Sequence, residues 1–288
     1  DCHPLIRDFL NEHLRRENLD VWKQGNKIIF NFLRRSAIAN PKSMVQMEPL
    51  FRAVIHGTRA GLVEESFQLY FERIKQKQFS IFTEGSHHAD QSCIRVFFRR
   101  PWAEPITELS ESASFYLLSC AAANLIYLGQ INAAIEPSIL SIQGFQKSES
   151  WFEAAVTSGP LISMLIAAGR LHDARQESTN MQASVKAADN ELLQSVSNSI
   201  GAYLSFLEGD LGEAARLFED AEQMLNKGGQ DCELACPTIS SYYCKYLLDT
   251  GEVERALQRA LLTLEWRKTK SWQVAVDTSS LYASDLLV

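Results

Sequence analysis

No stretch of this 288-residue chain is apolar for long enough to cross a bilayer, which argues against a membrane-spanning helix. The chain is expected to carry no secretory leader, and its six cysteines (Cys2, Cys93, Cys120, Cys232, Cys236, Cys244) are scattered. The expectation is a soluble cytoplasmic protein with reduced, mostly buried thiols. Cys232 and Cys236 have three residues between them, with Cys244 downstream and no histidine nearby, which is not the spacing of a zinc knuckle. Also missing are a Gly-x4-Gly-Lys-Ser/Thr phosphate loop, a Gly-x-Ser-x-Gly elbow, a His-Glu-x-x-His pair and paired carboxylates set in apolar sequence. The chain is therefore expected to be no enzyme by itself, with no catalytic residues, no metal and no cofactor of its own.

Clustered cations are missing from the second half. Residues 1–110 carry 16 Lys and Arg against 13 Asp and Glu, whereas residues 111–288 carry 12 against 22. An acidic region of that kind does not form a nucleic-acid groove, because neutralising phosphates takes clustered positive charge. With 46% hydrophobic and 22% charged residues, the bulk of the chain has the make-up of a folded protein.

What is present is a repeat. Four glycines are each followed, five residues later, by alanine: Gly129/Ala134, Gly169/Ala174, Gly209/Ala214 and Gly251/Ala256. The glycines step by 40, 40 and 42 residues, and the residue two after each is apolar (Ile131, Leu171, Leu211, Val253). Helix-period apolar runs flank every copy, so each glycine is expected to end one helix in the left-handed conformation before a second turns back. The small residue then marks a close helix crossing. A fifth copy is expected earlier, at Ala60-Gly61-Leu62-Val63-Glu64-Glu65-Ser66-Phe67, with Ser66 in the small position. Between it and the array, Thr83-Glu84-Gly85-Ser86-His87-His88 reads as a loop and Cys93–Arg99 as an amphipathic helix. Pro101-Trp102 and Pro105 read as a proline-ended connection. Adjacent His87 and His88 point apart on any regular element, so a solvated loop tip is expected there rather than a metal site.

The unit resembles the tetratricopeptide repeat, best in Leu207-Glu208-Gly209-Asp210-Leu211-Gly212-Glu213-Ala214-Ala215-Arg216-Leu217-Phe218. The 40–42-residue period exceeds that family's 34, and its unit-ending proline is missing from most copies. The resemblance implies an all-α fold: a tetratricopeptide-like helix–turn–helix solenoid wound as a right-handed superhelix. Three regions are expected. Residues 1–40 end a winged-helix-like module and add a connecting helix, and residues 41–110 hold a divergent helical hairpin and an irregular linker. Residues 111–288 hold about four repeats and a truncated fifth.

At the amino end, Pro4 fits a first helical position, and Leu5, Ile6, Phe9, Leu10 and Leu14 form an apolar stripe. The segment His3-Pro4-Leu5-Ile6-Arg7-Asp8-Phe9-Leu10 resembles the end of the winged-helix module in STAND-type signalling ATPases of the NACHT and NB-ARC group. The run Val21-Trp22-Lys23-Gln24-Gly25-Asn26-Lys27-Ile28-Ile29-Phe30-Asn31-Phe32-Leu33 is similar to the helix that follows in bacterial members, as are Pro101-Trp102 and Leu264-Glu265-Trp266. Carried over by position, the resemblance implies that His3 faces the phosphates of ADP in a full-length parent that binds ATP or ADP and oligomerises on activation. The chain opens at Asp1 without methionine and closes in Leu281-Tyr282-Ala283-Ser284-Asp285-Leu286-Leu287-Val288, an unfinished amphipathic pattern, and is expected to be a piece of a longer protein.

The function so implied is the ligand-sensing arm of a bacterial STAND ATPase in antiphage defence or stress signalling. It would bind a trigger protein or peptide and pack on the ATPase module of its own parent, with no nucleic acid and no membrane as partner. The alternatives are a stand-alone scaffold and the sensor part of a transcriptional regulator. In the family the first helix of each unit lines the concave face. Counted back from the turn glycines, that face holds Tyr116, Ser119 and Ile126; Val156, Ser163 and Ile166; Ser199, Tyr203 and Phe206; and Ser241, Lys245 and Leu248. Tyr116, Ile126, Tyr203, Phe206 and Lys245 are the expected partner contacts, aromatic anchors first.

Overall fold

A computed structural model describes residues 3–75, 86–227 and 237–269. Among these the fold is all-α: thirteen α-helices, short π and 3-10 turns, and one small strand pair. Two units emerge, Asp1–Pro137 and Ser138–Val288, with the boundary inside the seventh helix.

The first unit holds α1 (Pro4–Glu17), α2 (Leu19–Ser36), α3 (Met44–Arg59) and α4 (Val63–Tyr70), which runs on as a π turn, Phe71–Lys75. After it come α5 (Ser86–Ile94), β1 (Phe98–Arg100), β2 (Glu104–Pro105), α6 (Glu111–Tyr127) and the first turns of α7 (Ile131–Lys147). Trp22, Asn26, Phe30 and Leu33 recur at helical spacing and form the buried face of α2, which packs on α3. The crossing with α3 and α4 is tight: a Cβ on Gly57 would strike the Ser66 Oγ and come within 2.7 Å of the Phe30 ring. Arg73 clamps the end of α2, its guanidinium donating to the carbonyls of Arg34 (3.1 Å), Ala37 (3.2 Å) and Ile38 (2.9 Å). It thereby satisfies acceptors that every helix C-terminus leaves open.

The helix expected over Cys93–Arg99 is corrected. Helix α5 ends at Ile94, the chain tightens into a 3-10 turn at Arg95–Phe97, and Phe98 pairs with Pro105 in a short antiparallel ladder. Two aromatics in a row and a proline at 101 favour extended chain over another helical turn. The loop tip expected at His87 and His88 is also corrected, since both lie on α5 and His87 stacks on Tyr127 with ring centres 4.2 Å apart.

The second unit continues α7 and adds α8 (Trp151–Ala167), α9 (Leu171–Ala188), α10 (Glu191–Leu207), α11 (Leu211–Lys227), α12 (Pro237–Asp249) and α13 (Val253–Thr269). Helices α8 and α9, α10 and α11, and α12 and α13 pack as hairpins, while α8 lies beside α10 and α10 beside α12.

One turn recurs. Gly61, Gly129, Gly169, Gly209 and Gly251 all take φ between 70° and 89°. In each the glycine N–H donates to the carbonyl three residues back and the next N–H to the carbonyl five back, as Gly169 to Ile166 (2.9 Å) and Arg170 to Leu165 (2.8 Å). This double bond closes the helix end, and the left-handed backbone it demands is one that only glycine adopts at little cost. The small residue five positions on is enclosed every time: Ser66, Ala134, Ala174 and Ala214 are fully buried and Ala256 is 3% exposed. The turns from α7 to α8 and from α9 to α10 instead hold Glu149 and Asp189 at positive φ. Cys2, Cys232, Cys236 and residues 270–288 lie outside the described residues, as does the side chain of Trp266.

Candidate functional site

Ser163, Tyr203 and Lys245 each lie six residues before a turn glycine, and α8, α10 and α12 bring them into one row. The Tyr203 ring stacks on Tyr242 with centres 4.4 Å apart, and the Tyr242 hydroxyl lies 2.7 Å from the Ser163 Oγ. The Lys245 ammonium sits 5.7 Å above the Tyr203 ring, a cation–π contact, while the lysine remains exposed. Its bond with the Tyr203 hydroxyl raises the lysine above its usual range, so it stays charged. Phe206 meets Tyr246 edge to face at 5.5 Å, and Phe218 of α11 stacks on Tyr243 at 4.6 Å. Helices α8, α10 and α12 carry only Glu153, Glu191, Lys245 and Asp249 as charged residues. The row is thus a nearly uncharged aromatic and serine strip with one exposed cation.

The expected contacts divide. Tyr203, Phe206 and Lys245 come together in the second unit. Tyr203 is only 4% exposed, so it props its neighbours and leaves Lys245 as the exposed member of the row. Tyr116 and Ile126 belong to α6 in the first unit. Tyr116 is half-buried and points edge-on at Phe71 (5.2 Å) and Phe67 (6.2 Å), holding α6 against α4 and its π turn. Ile126 is half-exposed near the end of α6. His3 is exposed and caps α1, its Nδ1 accepting from the Leu5 N–H at 3.3 Å. Tyr242 was not among the expected contacts. It stands nine residues before its glycine, one off the positions that the counting rule samples.

A second cluster lies inside the first unit. The Asp90 carboxylate is wholly buried, and three donors converge on its Oδ2: Asn124 Nδ2 at 2.8 Å, Lys75 Nζ at 2.9 Å and the Tyr70 hydroxyl at 3.2 Å. Its Oδ1 and the Ser86 Oγ have no hydrogen-bond partner among the described residues. Asn124, oriented by Asp90, turns its oxygen toward His87 Nδ1, 3.4 Å away. Burial lowers the pKa of His87 and keeps the ring neutral near pH 7. Burial also draws the Lys75 ammonium down, but Asp90 opposite it more than offsets this and leaves it raised. The same burial pushes the Cys93 and Cys120 thiols and the Tyr70 and Tyr116 phenols up. These thiols and phenols are neutral and the lysine is charged, so none of them is poised as a nucleophile. What the arrangement does is tie α4 and its π turn to α5 and α6 through one carboxylate oxygen.

Among the described residues no three His, Cys, Asp or Glu side chains gather where they could hold a metal ion, and no helix is long and apolar enough to cross a membrane. No family model, curated protein or solved structure matches the chain.

Proposed function

We propose that the chain is a protein- or peptide-docking platform whose hairpins form a tetratricopeptide-like solenoid, and that the strip around Ser163, Tyr203, Tyr242 and Lys245 is its docking surface. The observation that carries this reading is the row itself. Equivalent positions on three neighbouring helices converge, through stacking and a hydrogen bond, on a low-charge surface with one fixed cation. Tyr203 and Tyr242 are buried, so their stack is a rigid base that holds the exposed Lys245 and the half-exposed Ser163 in place, and such pre-organisation is what partner recognition uses. Such a platform acts by binding and carries no chemistry of its own.

Within that reading, the resemblance of the amino-terminal segment favours the ligand-sensing arm of a bacterial, cytoplasmic STAND ATPase, with His3 toward the nucleotide of the parent. A trigger protein shifts such a parent between states only through unequal affinity for them. A scaffold without a switch and the sensor part of a transcriptional regulator are the competing readings. A phosphate loop upstream in the full reading frame separates the first from the plain scaffold, and a DNA-binding helix-turn-helix beyond Val288 would mark the regulator.

A photo-crosslinking residue at the exposed Leu248 of α12, compared with one at the exposed Glu219 of α11, tests the platform in cells. The expected result is a discrete partner captured from position 248 only, and lost when Lys245 is replaced by Ala. Equal capture from both positions overturns the assignment.

A further inference from the structure

Helices α7 and α9 leave a cavity of about 240 Å³ between them, and every residue that lines it belongs to the second unit. Ile139 and Ile142 supply its apolar wall; Gln143, Gln146, Glu177 and Asn180 supply the polar one. Gln143 and Asn180 are exposed and Ile142 is buried, so the cavity is a cleft reached from solvent. Its amides are committed in one sense. Asn180 Nδ2 donates to Glu177 Oε2 at 3.1 Å, and Gln146 Nε2 donates to the Ser184 Oγ at 3.1 Å. Their side-chain carbonyl oxygens accept from no described residue. Glu177 Oε1 lies 3.2 Å from the Ser158 hydroxyl, which also faces the Ala154 carbonyl at 3.1 Å. No cation pairs with Glu177 among the described residues. Of the basic side chains on the two helices, Arg175 is held by Glu208 and Ser205, and Lys147, His172 and Lys186 do not line the cavity.

The cleft thus offers free acceptors and one unpaired carboxylate beside an apolar wall, the complement of a cation on an aliphatic stem. Two features select guanidinium over ammonium. The acceptors are divided between Gln146 on α7 and Glu177 with Asn180 on α9. Five donors in a planar fork can serve both sides at once, whereas an ammonium is a compact point charge. Guanidinium is also the more weakly hydrated cation and loses less on entering a cleft walled by isoleucine. Size sets the upper limit. Sites that take a whole drug-sized ligand hold roughly 300–1,000 Å³, so this one suits a single side chain. We propose that the cleft between α7 and α9 binds one arginine side chain, its guanidinium on Glu177, Asn180 and Gln146 and its stem along Ile139 and Ile142. The inference does not rest on the docking strip of α8, α10 and α12.

Titration of N-acetyl-L-arginine amide into the isotope-labelled 288-residue chain, followed by backbone amide NMR shifts, reads this directly. The expected result is saturable shifts concentrated on α7 and α9, with a Kd on the order of 1 mM. The citrulline analogue keeps the shape without the charge and should bind about tenfold more weakly or worse. The lysine analogue should also bind more weakly than arginine. Glu177→Gln should weaken arginine binding by about tenfold with a melting temperature within a few degrees of the parent. Glu219→Gln, at an exposed position of α11, should change neither. Shifts absent from α7 and α9, shifts that persist in Glu177→Gln, or a citrulline or lysine analogue that binds as tightly as arginine overturns the proposal. The comparison of analogues on the unmodified chain needs no variant to fold. Free L-arginine separates the sources of the group. Binding no tighter than the capped form supports an arginine within a peptide or protein; a tenfold preference for the free form, about 1.4 kcal/mol, supports the amino acid itself.

Discussion

The Tyr242 hydroxyl lies 2.7 Å from the Ser163 Oγ, a bond between residues 79 apart in sequence that ties α12 to α8 across α10. Tyr203 fills the space beneath it, stacked on Tyr242. Deleting one partner of a part-buried hydrogen bond costs about 1 kcal/mol. Tyr242→Phe and Ser163→Ala should each lower stability by about that much, and the double variant should lose little more than either alone. Denaturant titration of the four-member cycle measures the coupling. Fully additive losses would show that the bond contributes nothing.

Because Tyr203 is enclosed, Tyr203→Ala should behave as a core truncation costing about 3–5 kcal/mol, not as a surface probe. Lys245→Ala tests recognition without that damage, since the ammonium is exposed. Its melting temperature should stay within a few degrees of the parent while partner capture falls. A large drop in stability from Lys245→Ala would mean that the cation–π contact is structural.

The buried pair Lys75–Asp90 makes a stronger demand. Removing one member leaves the other charged, desolvated and alone, which costs about 3–5 kcal/mol. Asp90→Ala should fall in that range. Lys75→Met combined with Asp90→Leu should recover part of the loss, because no charge is then buried. Urea unfolding of the parent and the two variants checks the order; a mild Asp90→Ala would mean that water reaches Lys75.

Two glycines that look alike in sequence should respond in opposite directions. At Gly169 there is room for a methyl group, yet φ is 72°, so Gly169→Ala should cost about 1 kcal/mol in backbone strain. Gly201 is inside α10, and a Cβ there would sit 3.6 Å from Leu217, an ordinary contact. Gly201→Ala should therefore stabilise by roughly 0.5–1 kcal/mol. Thermal melts of the two variants decide it, and a shift of the same sign in both refutes this account of the turns.

This contrast also marks what could be read from the chain in advance. Gly61, Gly129, Gly169, Gly209 and Gly251 announced their turns, and Ser66 and the four alanines their buried crossings, because both requirements are local to the backbone. The all-α class followed from the same periodicity. Lys75 and Asp90 gave no such signal. They are 15 residues apart, Lys75 closes a π turn and Asp90 sits on α5, so no fixed spacing joins them. His87 misled because two adjacent polar residues after a glycine read as loop, whereas tertiary stacking on Tyr127 decided the matter. The row of Ser163, Tyr203 and Lys245 was visible as a counting rule. Tyr242, which binds the row together, was not, since its role depends on helix rotation and not on register alone.

His56 supplies a pH dependence with a definite sign. Its Nδ1 lies 2.8 Å from Asn26 Oδ1, so the neutral ring donates there, and Asn26 in turn donates to the Trp22 carbonyl at 2.8 Å. Burial, with Arg59 and Arg52 nearby, lowers the His56 pKa from 6.5 to about 4. Between those values the unfolded chain binds a proton that the folded chain refuses, so stability rises with pH across the interval. The contribution is complete above about pH 6.5 and is lost progressively as pH falls toward 4. With the ring only partly buried, about 1 kcal/mol is the expected size after allowing for solvent screening. His56→Gln keeps an amide donor for Asn26 without a titrating ring. Unfolding free energies at about pH 5 and about pH 7.5 should differ less in this variant than in the parent by about that amount. An unchanged pH slope would place the titration elsewhere and dissolve the link between His56 and the packing of α2 on α3.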